Sequence, residues 1–183
     1  LLGHIDISVG QVAGFSTTFS MMLMMNYHLP IWFSIILTLL ICGLFGVFTG
    51  YCVTYLKLSA FISTIGMYYI ARGLKFILTK GYPIYPIPEV LGDFGTAEPL
   101  GVSWALLIAV FLLVVFDIIL KRTTYGRKVY AVGDNKEVAR LAGISVNSVT
   151  MSAFIICSVM AGISGILLAC QYKTGQPSTG DGW

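Results

Sequence analysis

The sequence predicts an all-α polytopic membrane protein, a multi-span bundle of about five transmembrane helices. Of its 183 residues, 57% are hydrophobic and only 10% charged, and the mean hydropathy is +0.87, outside the balance of a water-soluble domain. Apolar runs recur that are long enough to cross about 30 Å of hydrocarbon at about 1.5 Å per residue. The charged residues gather between these runs.

The expected spans run from Ile7 to Met25, Ile31 to Leu56, Leu58 to Leu78, Val102 to Leu120 and Val149 to Cys170. The first carries Ser8, Gln11, Ser16, Thr17, Thr18 and Ser20 on more than one side, so it is expected to face protein rather than lipid. Gly10 and Gly14, Gly46 and Gly50, and Ala161 and Gly165 make small-xxx-small pairs that let helix backbones approach. Bundle packing is the main reading of these pairs, and a lined substrate path is the other. The third span holds Arg72 and Lys75 near its end, which must either reach headgroups or pair inside protein. Asp117, four residues before Lys121, reads as a helix-end ion pair. Cys42, Cys52, Cys157 and Cys170 read as small packing residues, and Met21, Met22, Met24 and Met25 as flexible apolar filler.

The loops set the orientation. Lys121 to Ser148 holds six basic residues (Lys121, Arg122, Arg127, Lys128, Lys136, Arg140) against two acidic ones. Thr79 to Gly101 holds Lys80 alone against Glu89, Asp93 and Glu98. The first loop, residues 121–148, is therefore expected in the cytoplasm, and the second, residues 79–101, outside. That threading puts Lys57 inside, with Asn26 to Pro30 and Gln171 to Trp183 outside. With Pro83, Pro86 and Pro88 followed by Gly92, Gly95 and Pro99, the outer loop is expected to hold turns and extended backbone. Residues 1–183 read as a single transmembrane domain. Leu1 is not an initiator methionine and the chain stops at Trp183, so a fragment of a longer protein is expected.

Several chemistries are disfavoured. The basic residues sit in one loop rather than along a folded face, which argues against nucleic-acid binding. His4 and His28 are the only histidines, too few for a His-rich metal site or a His-assisted nucleophile. There is no GxxxxGK[ST] stretch, so ATP, if it is used, belongs to a partner. Uncharged interiors in four of the spans weigh against ion-coupled transport.

The inner loop is the most informative stretch. Asp134 with Glu137 reads as a capping-box-like helix start, and Gly143 before apolar Ile144 as a left-handed stop. At helical spacing Val138, Ala139, Leu141 and Ala142 share one side, with Lys136, Glu137 and Arg140 on the other. A helix this short is unstable alone, so its apolar side must press on the bundle, the bilayer surface or a groove in another protein.

Four stretches carry a family resemblance. The run from Gly126 through Arg127, Gly133 and Asn135 to Ile144 resembles the cytoplasmic coupling loop of permease subunits of bacterial ABC importers for ribose, xylose and related monosaccharides. Ile5-Asp6-Ile7-Ser8-Val9-Gly10 is similar to that family's Gly-Ile-Asp-Leu-Ser-Val-Gly signature. Phe61-Ile62-Ser63-Thr64-Ile65-Gly66 with Arg72-Gly73 resembles its Phe-Ile-x-Thr-Leu-Gly segment with a downstream Arg-Gly. Gly175-Gln176-Pro177 with Gly180 and Gly182 resembles its Gln-Pro-x-x-Gly-x-Gly turn. His4, Asp134 and Trp183 depart from the pattern, standing where the family commonly has glycine, glycine and tyrosine.

The resemblance implies a multi-pass permease of the bacterial inner membrane that hydrolyses no ATP and binds no cofactor itself. It implies ATP-binding subunits in the cytoplasm, a sugar-binding protein outside and a second permease copy, identical or not, with further spans on both sides of this chain. The residues expected to meet the ATPase are Gly126, Arg127, Gly133, Asn135, Glu137, Val138, Arg140, Leu141, Gly143 and Ile144. Asp6, Ser8, Gln11, Gln176 and Pro177 are expected near the substrate path, although Asp6 also suits helix capping and Gln176-Pro177 a turn. An amino-acid ABC permease, an ion-coupled transporter and a membrane scaffold are the rival readings.

Overall fold

The computed structural model describes residues 2–182; Leu1 and Trp183, cited above for the chain ends and the aromatic position, lie outside the described residues. The chain is an all-α polytopic membrane protein. Its helices are α1 (Val9–Met25), α2 (Ile31–Thr54), α3 (Ala60–Thr79), α4 (Glu89–Thr96), α5 (Trp104–Arg122), α6 (Thr124–Asp134), α7 (Lys136–Leu141) and α8 (Val146–Tyr172), with a 3-10 turn at Pro99–Gly101. Four of them, α2, α3, α5 and α8, are long and apolar enough to cross a membrane. The fifth expected span is α1, which at 17 residues is shorter than these because residues 2–8 approach it as non-helical chain.

α1 forms the centre. All of it except Val9, Phe19 and Met25 is buried, which bears out a protein-facing helix. It runs parallel to α8. His4 lies beside Phe154, Ser16 Oγ donates to the Gly162 carbonyl at 2.6 Å, and Thr17 Oγ1 donates to the Gly165 carbonyl at 3.0 Å. Near the far end Met21 and Met24 pack with Ile166, Ala169 and Cys170. Hydroxyls buried without water must find acceptors, and the bare carbonyls beside α8's glycines supply them.

The small residues act by contact. A side chain at Gly46 would strike the backbone of Phe154 and Ile155, and one at Gly50 would press on Met151, so α2 and α8 touch through this pair as expected. A side chain at Gly165 would strike the Ala13 backbone. Gly165→Ala is therefore expected to lower stability by about 2 kcal/mol. Gly66→Ala, with nothing within 4 Å, is expected to leave it unchanged or raised by a few tenths. Thermal unfolding in detergent separates the two.

Gly10 and Gly14 behave differently. Their backbones are met by the chain after α8, which turns at Lys173 (φ 52) and runs back along α1, and the Lys75 side chain of α3 also reaches Gly14. Gly175 lies against Thr17 and Met21, Thr179 against Gly14, and Gly180 against Gly10. We refer to residues 173–182 as the return segment. Its start is fastened to the 79–101 loop by paired backbone hydrogen bonds between Ile84 and Gly175, both 3.0 Å.

That loop corrects the sequence reading. It contains α4, which starts after Pro88 and packs on α8, with Ile87 and Leu91 buried against Met21 and Met24. Proline ahead of the first helical turn is compatible with a helix rather than opposed to it. Gly95 lies where a side chain would strike the Cys170 backbone. α5 stands further out, leaning on α4 and α6, and a gap of about 320 Å³ separates its first half from α8. The expected Asp117–Lys121 pair closes at 2.8 Å on its exposed side.

Candidate functional site

Two places gather the residues singled out from sequence. The first is the segment between α5 and α8. Thr123 caps α6, its Oγ1 accepting from the Gly126 N–H at 3.3 Å, and Gly126 is buried where a side chain would strike the Leu120 backbone. Tyr125 Oη and Ser152 Oγ, 2.9 Å apart, tie α6 to α8. Val129 and Val132 are buried with Ala139 and Val149, and Ile144 packs against that cluster. α6 is thus a seated helix within what the sequence reading treated as loop. Gly126, Val129 and Val132 at three-residue spacing were the signal for it.

α7 follows after one extended residue. The expected start at Asp134 is corrected here: Asp134 ends α6, and Asn135 (φ −151, ψ 111) is the cap, its Oδ1 accepting from the N–H groups of Glu137 at 3.0 Å and Val138 at 3.1 Å. Gly143 (φ 77) closes the helix as expected, with the Ile144 N–H donating to the Ala139 carbonyl at 3.0 Å. The two faces also divide differently from the sequence reading. Only Ala139 is buried, whereas Val138 is 61% exposed and Leu141 88%, with Ala142 also exposed. Glu137 and Arg140 pair at 3.2 Å, and Arg127, Lys128 and Gly133 are exposed on α6. A short helix capped at both ends and seated on a core therefore holds two bare aliphatic side chains and several cations toward the outside.

The second place is where the return segment meets α1 and α3. Lys75, fully buried one turn before the end of α3, donates to the Thr179 carbonyl at 2.7 Å and pairs with Asp181 at 3.2 Å. Arg72 lies 3.6 Å from the same carboxylate. These two cations thus pair inside protein. Gln11, also fully buried, donates from Nε2 to the Gly180 carbonyl and to Asp181, both at 2.9 Å, while its Oε1 has no hydrogen-bond partner among the described residues. Burial pushes the Asp181 carboxyl up, but the hydrogen bonds from Gln11 and Lys75 and the charges of Lys75 and Arg72 outweigh it and hold the group below the usual carboxylate value.

Of the expected path residues, the structure brings Gln11 to this cluster. Gln176 accepts from Ser178 Oγ at 3.1 Å and lies exposed in an open cavity of about 420 Å³ along the other side of the return segment, while Pro177 is buried. Gly180 and Thr179 border both sides. Asp6 and Ser8 stand apart: Asp6 Oδ1 accepts from the N–H and Oγ of Ser8 at 2.9 and 2.6 Å, a local turn just ahead of α1 rather than a side-chain cap of the helix, beside a cleft of about 310 Å³. Sequence reasoning missed Asp181, which reads as a loop residue between two glycines. The signal was Lys75, a cation within an apolar run that needs a partner.

Comparison with known proteins gives the family. Residues 1–183 match the family described as branched-chain amino acid transport system / permease component. Similar proteins include the autoinducer 2 import system permease protein of Photorhabdus luminescens, 36% identical over 100% of this chain and 55% of its own length. The L-arabinose transport system permease protein of Escherichia coli K12 is 32% identical over 99% of this chain and 55% of its own length. The L-arabinose ABC transporter permease protein of Azospirillum brasilense is 30% identical over 99% and 53%. The chain spans about half the length of these relatives. No solved structure matches it.

Proposed function

Because the chain belongs to the branched-chain amino acid transport system permease component family, we propose that it is a membrane-embedded part of an ATP-driven importer of the bacterial inner membrane. In this reading it forms part of the path for a monosaccharide handed over by a sugar-binding protein outside. ATP is hydrolysed by separate cytoplasmic subunits, and a second permease copy completes the path. Relatives named for L-arabinose and autoinducer 2 favour such a cargo over an amino acid.

The observation that carries the reading is α7. A helix of six residues does not hold itself together in water, yet this one is capped at both ends and keeps Val138 and Leu141 bare. Aliphatic side chains held out from a rigid seat suit a groove in a motor subunit, with Arg127, Lys128 and Arg140 around them for its acidic residues. The basic excess of residues 121–148 supports a cytoplasmic position for that face. Closure of the motor on ATP would then move α7, and the glycine contacts of α8 with α2 and α1 would carry the motion to the return segment. Displacing that segment would uncover the free Oε1 of Gln11, an acceptor suited to a cargo hydroxyl.

The test is affinity capture of the full-length protein from gently solubilised membranes. An ATP-binding subunit is expected to co-purify, and ATP with the binding protein is expected to drive uptake of a labelled monosaccharide into vesicles. Capture without any ATPase, under conditions that preserve a known importer, would overturn the proposal.

A further inference from the structure

At the end of the bundle opposite α4, a cavity of about 550 Å³ opens between α2, α3, α7 and α8. Lys57, Lys136 and Arg140 line it, together with His4, and among the described residues no carboxylate does. The His4 ring lies 3.3 Å from the Lys136 ammonium, and burial and that neighbouring charge both lower its pKa. Arg140 pairs with Glu137 at 3.2 Å, and Glu137 does not line the cavity. Among the described residues Lys57 and Lys136 have no carboxylate partner within 4.0 Å, so the lining keeps a net positive charge.

Two helices also begin there. α3 starts after Ser59 and α8 after Ser145; neither serine caps its helix through its side chain, and neither helix has an acidic residue in its first turn. Ser59, Ala60, Val146 and Asn147 border the cavity, so the partial positive charge of both openings points the same way. Thr150 lines the same space, is only 3% exposed, and takes part in no side-chain hydrogen bond among the described residues. On one side the wall is apolar, formed by Val53, Leu58 and Phe61, and it runs out to the exposed faces of Leu58 and Phe61.

We propose that this cavity seats the phosphate headgroup of an anionic phospholipid, with Lys57, Lys136 and Arg140 around the phosphate and the acyl chains lying along Leu58 and Phe61. Basic pockets between membrane helices recognise such headgroups. The adjoining apolar wall is what selects a lipid over free phosphate, which would leave Leu58 and Phe61 uncovered. The inference rests on reading the chain as a membrane permease with this end at the bilayer surface. The consequence is a ligand joining α2, α3 and α8 to α7, so that lipid charge would set how firmly α7 is held.

The test uses the full-length protein, purified in a neutral detergent and titrated with phosphatidylglycerol or phosphatidylcholine, with native mass spectrometry reading the lipid retained. Phosphatidylglycerol is expected to be retained in preference to phosphatidylcholine. Lys57→Gln, at an exposed position, is expected to weaken that retention about fivefold, and Lys80→Gln at the opposite end to leave it unchanged. Thr150→Val gives a second, uncharged probe, expected to weaken retention without altering the net charge. Equal retention of both lipids, or equal loss in Lys57→Gln and Lys80→Gln, overturns the site. Displacement of the lipid by millimolar inorganic phosphate overturns the lipid as its source. If Lys57 labels from the cytoplasm and no lipid is retained, the lipid site fails while the permease reading survives; if lipid is retained but no ATPase co-purifies, the reverse holds.

Discussion

Asp181→Ala is expected to lower the stability of the purified protein by about 3 kcal/mol, read as a fall in its thermal midpoint. The cost lies mainly in what is left behind. Lys75 is fully buried, and without Asp181 its ammonium keeps the Thr179 carbonyl and the Phe76 ring but faces Arg72 without a shared anion. The figure sits at the lower end for a broken buried pair because the Asp181 side chain is itself 30% exposed. Lys75→Leu combined with Asp181→Ala is expected to recover most of the loss, because no unpaired ammonium is then left buried. A double variant no better than Asp181→Ala alone would show that the carboxylate acts through the backbone turn rather than through charge. Acid provides an independent check. The folded Asp181 value is depressed, so its contribution is complete above the ordinary carboxylate range and is lost as pH falls through the lower folded value. The difference between the original protein and Asp181→Ala is therefore expected to shrink in acid.

Leu141→Asp is expected to abolish ATP-driven uptake while leaving the thermal midpoint of the permease unchanged. At 88% exposure the new carboxylate costs the isolated fold almost nothing. In the assembled importer the same position would be a buried aliphatic anchor, worth roughly 2 kcal/mol or more at an interface, or about a thirtyfold loss of affinity before desolvation of the carboxylate is counted. Leu141→Met keeps volume and apolarity and is expected to retain most uptake. Full uptake by Leu141→Asp, with the protein present in the membrane, would remove α7 from the coupling role.

The architecture was legible where composition and spacing had a single outlet. Polar residues distributed around α1 could be satisfied only by protein, and Ser16 and Thr17 find the carbonyls of Gly162 and Gly165. Gly143 and Ile144 announced the end of α7 because a left-handed stop has few alternatives. Legibility failed where one pattern serves two structures. Gly10 and Gly14 read as a helix-packing stripe, and they do admit close approach, but of an extended return segment. Pro88 read as a breaker, and it starts α4. Gln176 through Gly182 read as a turn; that the turn carries Asp181 back to Lys75 depends on a contact across 106 positions that no local pattern encodes.

That separation bears on how the chain is made. Ribosomes deliver residues from the N-terminus at about 5 to 20 per second, so Lys75 leaves the ribosome some 5 to 20 s before Asp181. During that interval α3 is an apolar segment with two cations and no anion to meet them, each costing roughly 2.5 to 3.5 kcal/mol if placed at the bilayer centre. Stable lodging of α3 in lipid must therefore wait, either at the interface with its cations in water or beside the insertion machinery, until α8 has crossed and the return segment has folded back. Biogenesis of this protein is thus expected to be sequential, with the third helix gaining its charge partner when Asp181 arrives.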